Sequence, residues 1–168
     1  MVERLAERLA LAGERELCRS TVRSSAGVVV AQPQTYMNRS GAAVRCLVEL
    51  FAVAPVDLLV IYDEVQLPLG RLRLRAAGSP GGHRGMESVV EALQTQELPR
   101  LRLGIGAPAT GDDLADFVLA PFAAAEEGEV EAMVERAAET AELWLAGDFA
   151  AAVQRASRSD LPRPGEIP

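Results

Sequence analysis

DLLVIYDEVQLPLGRLRLRAAGSPGGHRGMESVV, residues 57–90, changes character three times. It opens on an unbroken apolar run from Leu58 to Tyr62 that closes on two acids, Asp63 and Glu64. Such a run is the profile of a strand buried on both faces, and the carboxyl end of a strand of this kind is where ligands bind in open α/β sheets. RLRLR, 71–75, then alternates strictly. A strand there turns Leu72 and Leu74 to the core and Arg71, Arg73 and Arg75 to the other side. After the glycine-rich GSPGGHRG, Met86, Val89, Val90 and Leu93 recur at helical spacing.

Working outward, VERLAERLAL places Val2, Leu5 and Leu9 on one helical face. ELCRSTV and GVVVAQ read as two strands of a hairpin that turns between Ser24 and Gly27. Beyond Pro33, QTYMNRSG offers Asn38 and Ser40 as caps for a helix marked by Val44, Leu47, Val48 and Phe51. Downstream, LRLGIG reads as a strand, and Val130, Met133, Val134, Ala137, Ala141, Trp144 and Leu145 line one stripe of a long helix, with Gly147 at its C-terminal cap. Strands interleaved with helices predict an α/β fold with a mixed sheet covered on both faces. No linker composition interrupts it, so residues 1–158 read as one domain and the proline-rich 159–168 as a flexible tail.

At 168 residues, 49% of them hydrophobic, the chain is long enough for one substantial core. No run approaches the roughly 18 apolar residues of a membrane span, and the charged opening lacks the layout of a signal peptide. Cys18 and Cys46 show no paired spacing, which argues against a disulfide framework or a zinc site and for a reducing cytoplasm. The net charge of −7 speaks against a nucleic-acid partner, yet it is unevenly spread. Six arginines stand against three glutamates between Arg71 and Arg102, whereas Asp112 to Glu142 carries ten acids and one arginine.

Three polar clusters stand at element ends: Tyr36, Met37 and Asn38 before one helix, Asp63 and Glu64 after a buried strand, and His83 with Arg84 entering another helix. Each has a plain alternative. Asn38 is a preferred helix cap, Asp63 fits a solvated strand end, and His83, the chain's one histidine, fits a capping or bystander role. The glycines around His83 let backbone approach a ligand, but GxxGGHRG has neither the spacing of a Walker loop nor that of a dinucleotide fingerprint. No nucleotide cofactor is indicated, and without HExxH or paired cysteines no metal is predicted.

Taken together, QPQTYMNRSGAAV, LLVIYDEVQLPLGRLRLRAAGSPGGHRGMESV, RLRLGIGAP and FVLAPF resemble the bacterial peptidyl-tRNA hydrolase family in order and spacing. The resemblance runs from about Arg4 to Arg155. It implies a three-layer α/β/α sandwich around a mixed sheet in a single domain, and an enzyme that hydrolyses the ester joining a peptide to its tRNA without a cofactor or metal. In that family a histidine is the general base and an aspartate supports it, a division of labour shared with hydrolytic triads. Asp63 matches the aspartate. Asn38, with Tyr36 beside it, matches the asparagine that holds the substrate end. The family's GHNG motif falls on His83 and Arg84, which makes His83 a secondary site residue. Arg71, Arg73, Arg75, Arg100 and Arg102 are the arginines expected to meet tRNA phosphates.

Two departures from the family pattern shape the expectation. Arg84 stands where the family has asparagine, exchanging a donor-acceptor amide for a donor-only cation. The family also opens with a strand, a glycine-asparagine loop and a histidine-bearing TRHN segment, and this chain is read as starting inside the helix that follows them. A chain so truncated is expected to be impaired as a hydrolase; the alternative is a non-catalytic paralogue that binds tRNA, other RNA or a protein partner. The resemblance implies a cytoplasmic monomer acting on peptidyl-tRNA or a tRNA acceptor end, away from membranes, with dimerisation as the way to cover a sheet left open by truncation.

Overall fold

ELCRSTV, expected as one strand, is two. The computed structural model, which describes residues 1–25, 27–110 and 113–158, places β1 at Arg15–Leu17 and β2 at Ser20–Ser25, with Leu17 opposite Ser20. Cys18 and Arg19 between them are left-handed, with φ of +53° and +56°. That backbone matches the twist of a two-residue hairpin, and it is a turn usually built from glycine or asparagine, so the sequence carried no sign of it. β3 (Val28–Pro33) continues the meander, paired antiparallel to β2 from Ser20↔Pro33 to Ser25↔Val28. The result is a three-stranded sheet in the order β1-β2-β3.

The chain's contacts divide into two compact units, Met1–Val60 with Arg75–Arg100, and Ile61–Leu74 with the chain from Leu101 on. In the first, α1 (Val2–Arg8) buries Leu5 and Ala6 and packs on β3. A 3-10 turn (Met37–Arg39) leads into α2 (Ser40–Phe51), which packs against α3 (Arg84–Leu93). The two helices meet closely because Gly41 is buried and its N–H donates to Ser88 Oγ at 3.0 Å. A Cβ there would lie 2.5 Å from the Ser88 carbonyl carbon and 2.9 Å from Ala92 Cβ. Ala43 and Leu47 of α2 and Met86 and Val89 of α3 are buried.

Cys18 and Cys46 are bonded as a disulfide, with Cα atoms 5.7 Å apart. This corrects the expectation of two unpaired thiols. Their 28-residue separation gave no pattern to read, and the pairing is made by tertiary contact between the β1–β2 turn and α2.

A second three-stranded sheet runs β4 (Val60–Glu64), β6 (Arg100–Gly104), β5 (Leu72–Arg75). Val60 N–H donates to Pro99 O and Ile105 N–H to Glu64 O, so β4 and β6 run parallel. Gly104 N–H donates to Arg71 O and its carbonyl accepts from Gly70, so β5 runs against β6 and the sheet is mixed. The burial of β5 alternates as the sequence implied, with Leu72 and Leu74 inside and Arg73 and Arg75 outside. The fold class is α/β, as read.

The second unit also holds α4 (Leu114–Leu119), α5 (Glu127–Leu145) and α6 (Phe149–Ser157). α5 buries Met133, Ala137 and Ala141 of the expected stripe but leaves Leu145 exposed, and it also buries Arg136, Ala138 and Thr140; Gly147 follows it at φ +82°. α5 and α6 pack against each other, and Ala137, Ala138, Ala141, Ala152 and Ala156 of the pair are buried. Neither α4 nor α6 was read from the sequence. Each starts at an aspartate whose carboxylate caps it, Asp113 at Ala115 N and Asp116 N, and Asp148 at Ala151 N. Buried Arg136 of α5 donates to Gly70 O, fixing the turn that precedes β5. The tail expected at 159–168 lies outside the described residues.

Candidate functional site

Tyr36, Met37 and Asn38 stand at the head of α2 as exposed residues, Tyr36 at 78% and Met37 at 53%. Neither Asn38 nor Ser40 caps a helix through its side chain; Ser40 Oγ instead donates back to Met37 O at 2.9 Å. The capping alternative for Asn38 is therefore not realised, and its amide stands on an exposed 3-10 turn.

His83 does what the plain alternative proposed. Its Nδ1 accepts the Met86 N–H at 3.0 Å, capping α3. A nitrogen that accepts is unprotonated, so the ring proton of this imidazole belongs on Nε2, which makes that edge a donor. The loop before it is fixed at several points. Gly81 and Gly82 are left-handed, His83 N–H donates to Pro80 O at 3.2 Å, and Gly78 N–H donates to Gln96 O at 3.2 Å.

The 3-10 turn and the start of α3 lie together in the first unit. A Cβ on Gly85 would lie 3.0 Å from His83 Cε1 and 3.2 Å from Met37 Cγ, so the absent side chain is what lets Met37 lie beside the imidazole. Tyr36, Asn38, His83 and Arg84 thus belong to one neighbourhood of exposed and half-buried side chains around Met37. Met37 was named in the sequence only as a member of its cluster; its packing role has no signature at the level of residue spacing.

Asp63 belongs to the other unit. It is half-buried on β4, on the strand face opposite buried Tyr62 and Glu64. Glu64 accepts Gln66 N–H at 3.1 Å through Oε1, and its Oε2 lies 3.3 Å from Arg102 Nη1.

The expected phosphate-binding arginines divide. Arg71, Arg73 and Arg75 are exposed. Arg100 is not available to RNA: it is 0% exposed and donates to Leu98 O at 3.1 Å, Ser79 O at 3.0 Å and Gln96 O at 3.0 Å. That placement corrects the expectation and gives Arg100 a structural task, holding the loop that leads to His83. Arg102, 18% exposed, is paired with Glu64, which also removes it from the surface set. In RLRLGIG the side-chain type suggested phosphate contact, but the register of a central strand turned both guanidinium groups inward.

Among the described residues no group of three or more His, Cys, Asp or Glu is placed to hold a metal ion, and no helix is long and apolar enough to cross a membrane.

The peptidyl-tRNA hydrolase family model matches residues 1–163. The chain belongs to the peptidyl-tRNA hydrolase family. It is 47% identical over 110 residues to a peptidyl-tRNA hydrolase of Aquifex aeolicus, covering 66% of this chain and 57% of that one. With the peptidyl-tRNA hydrolase of Symbiobacterium thermophilum it shares 47% identity over 128 residues, covering 76% and 68%. The aligned part of the chain thus spans 57–68% of the length of these curated relatives. Among solved structures, the peptidyl-tRNA hydrolase of Acinetobacter baumannii superposes with a TM-score of 0.84 at 26% identity, covering 93% of this chain and 82% of that one.

Proposed function

We propose that this peptidyl-tRNA hydrolase family member hydrolyses the ester between a peptide and its tRNA in the cytoplasm, adding water and releasing free peptide and tRNA. Residues 1–158 are read as the domain that does so, acting as a monomer. The observation that carries the reading is the side-by-side placement of the Tyr36–Asn38 turn and the His83–Arg84 helix start around Met37, in a chain matched by the family model over residues 1–163. Asn38, its amide not used in capping, offers both a donor and an acceptor to the substrate end, and exposed Tyr36 offers a ring face to a terminal base. Arg84 suits a phosphate or carboxylate. His83 donates from Nε2 toward developing negative charge, a role compatible with its cap. Asp63 is assigned the carboxylate of the reaction, the group that takes the proton from the attacking water. Arg71, Arg73 and Arg75 supply phosphate contacts. These residues call for no metal or cofactor.

The test is release of peptide from an N-acylated aminoacyl-tRNA. The expected result is turnover that Asn38→Ala weakens mainly through KM and that Asp63→Asn lowers about 100-fold or more in kcat, the usual size of an acid–base contribution. Turnover indifferent to both substitutions would refute the residue assignments.

A second reading, a tRNA-binding member without catalysis, is favoured by one observation. The only imidazole of the chain has Nδ1 committed to Met86 N–H, so it is not poised to take a proton from water. Under that reading acceptor-stem RNA binds with a steep salt dependence, no peptide is released, and Asp63→Ala leaves affinity unchanged.

A further inference from the structure

The Cys18–Cys46 bond has a particular relation to the turn bearing Tyr36, Met37 and Asn38. Cys18 sits in the β1–β2 turn, and the next residue, Arg19, accepts the Gln34 N–H through its carbonyl at 2.8 Å. Cys46 lies on α2, downstream of that turn. The segment from Gln34 to Cys46 is therefore anchored at both ends on the same two residues, Cys18 and Arg19, by a hydrogen bond at one end and a covalent bond at the other. Cys46 is exposed and Cys18 half-buried, so a thiolate from solvent has access to the pair.

We infer that this disulfide is a redox-exchangeable clamp on the substrate-holding segment, opened by dithiol reductants and closed by oxidants of the disulfide class. The inference rests on the proposed role of Tyr36 and Asn38. In the opening step a reductant thiolate attacks Cys46 Sγ, forming a mixed disulfide, and Cys18 leaves as a thiolate that takes a proton from water. The reductant's second thiol then displaces Cys46, which leaves as a thiol while the reductant closes its own disulfide. One pair of electrons passes from the dithiol, which is oxidised, to the protein disulfide, which is reduced.

The rest of the first unit explains why opening is local. The β1–β2 turn keeps its register through Leu17↔Ser20 and Ser20↔Pro33, and α2 keeps its seat on α3 through Gly41 and Ser88. Only the covalent anchor of the 34–46 segment, at Cys46 on α2, is lost. Loss of that constraint lowers the preorganisation of Tyr36 and Asn38 without removing either side chain, which acts on binding rather than on the chemical step.

The test treats the whole chain with dithiothreitol or with oxidised glutathione under native conditions, then alkylates its thiols and weighs it. Two labels after reductant and none after oxidant are expected. Hydrogen exchange of the same samples should quicken about tenfold or more in residues 34–39 while the amides of α2 and of β2–β3 stay protected. With N-acylated aminoacyl-tRNA, KM should rise about three- to tenfold on reduction with kcat within about twofold. The double variant Cys18→Ser/Cys46→Ser should behave as the reduced chain and ignore both reagents. Two labels in the oxidised sample, or exchange that quickens equally across the first unit, would overturn the clamp. Should neither redox state release peptide, the hydrolase reading fails and the labelling and exchange results still decide the clamp.

Discussion

Gly41→Ala tests the geometry on which the site depends. Alanine is favoured over glycine within a helix by about 1 kcal/mol, so on local propensity alone the substitution stabilises α2. The tertiary structure opposes it. The new methyl would lie 2.5 Å from the Ser88 carbonyl carbon, where real Cβ atoms keep at least 3.0 Å, and 2.9 Å from Ala92 Cβ. It would come closer still to the Ser88 carbonyl oxygen, so α2 and α3 must move apart by about an ångström, an overpacking cost of about 1–3 kcal/mol. That movement also lengthens the Gly41 N–H to Ser88 Oγ bond, 3.0 Å in the native chain, at about 1 kcal/mol. The net loss is about 1–3 kcal/mol, or a lowering of the urea midpoint by about 0.5–1.5 M at an m-value of about 2 kcal/mol/M. Equilibrium unfolding followed by circular dichroism measures it, with Ser88→Ala as a control that loses only the hydrogen bond. Because the same helix pair carries Asn38 and His83 at its leading ends, the variant's KM for peptidyl-tRNA should rise as well. A midpoint unchanged or raised in Gly41→Ala would mean that the helices are not in contact at this point.

Other outcomes follow from the same structure. His83→Ala removes the cap of α3 and should lower stability by about 1 kcal/mol, whereas His83→Asn, another good cap, should restore most of it; thermal unfolding separates the two. Arg100→Met leaves Ser79 and Leu98 carbonyls without this donor and should cost about 2–4 kcal/mol in urea unfolding, with the salt dependence of RNA binding unchanged. Arg73→Ala, on an exposed strand face, should do the reverse: stability within about 0.5 kcal/mol of the parent, and a slope of log affinity against log salt reduced by about 0.9 in a binding titration.

Much of this chain could be read from residue order alone. The alternation of RLRLR and the helical spacing after His83 each encode local burial, because a strand repeats every two residues and a helix every 3.6; the apolar run into Asp63 marked a strand but overstated its burial, since β4 is an outer strand on which only Tyr62 and Glu64 are buried. Those periods gave the α/β class, the exposed faces of Arg73 and Arg75, and the three polar clusters at element ends. The family resemblance, resting on motif order, held over nearly the whole chain.

What residue order could not supply were features decided by contact between distant segments. Cys18 and Cys46 form a bond because a two-residue turn meets α2, and that turn uses left-handed cysteine and arginine in place of the residues that usually announce it. Arg100 reads as a surface cation until the sheet puts it in a central strand among three carbonyls. Asn38 and His83 each had a capping role open to them; packing assigned it to His83, through Met86 N–H, and left Asn38 on its exposed turn. Periodicity determines which side of an element faces inward, whereas the partner it meets there is fixed only when the whole chain has folded.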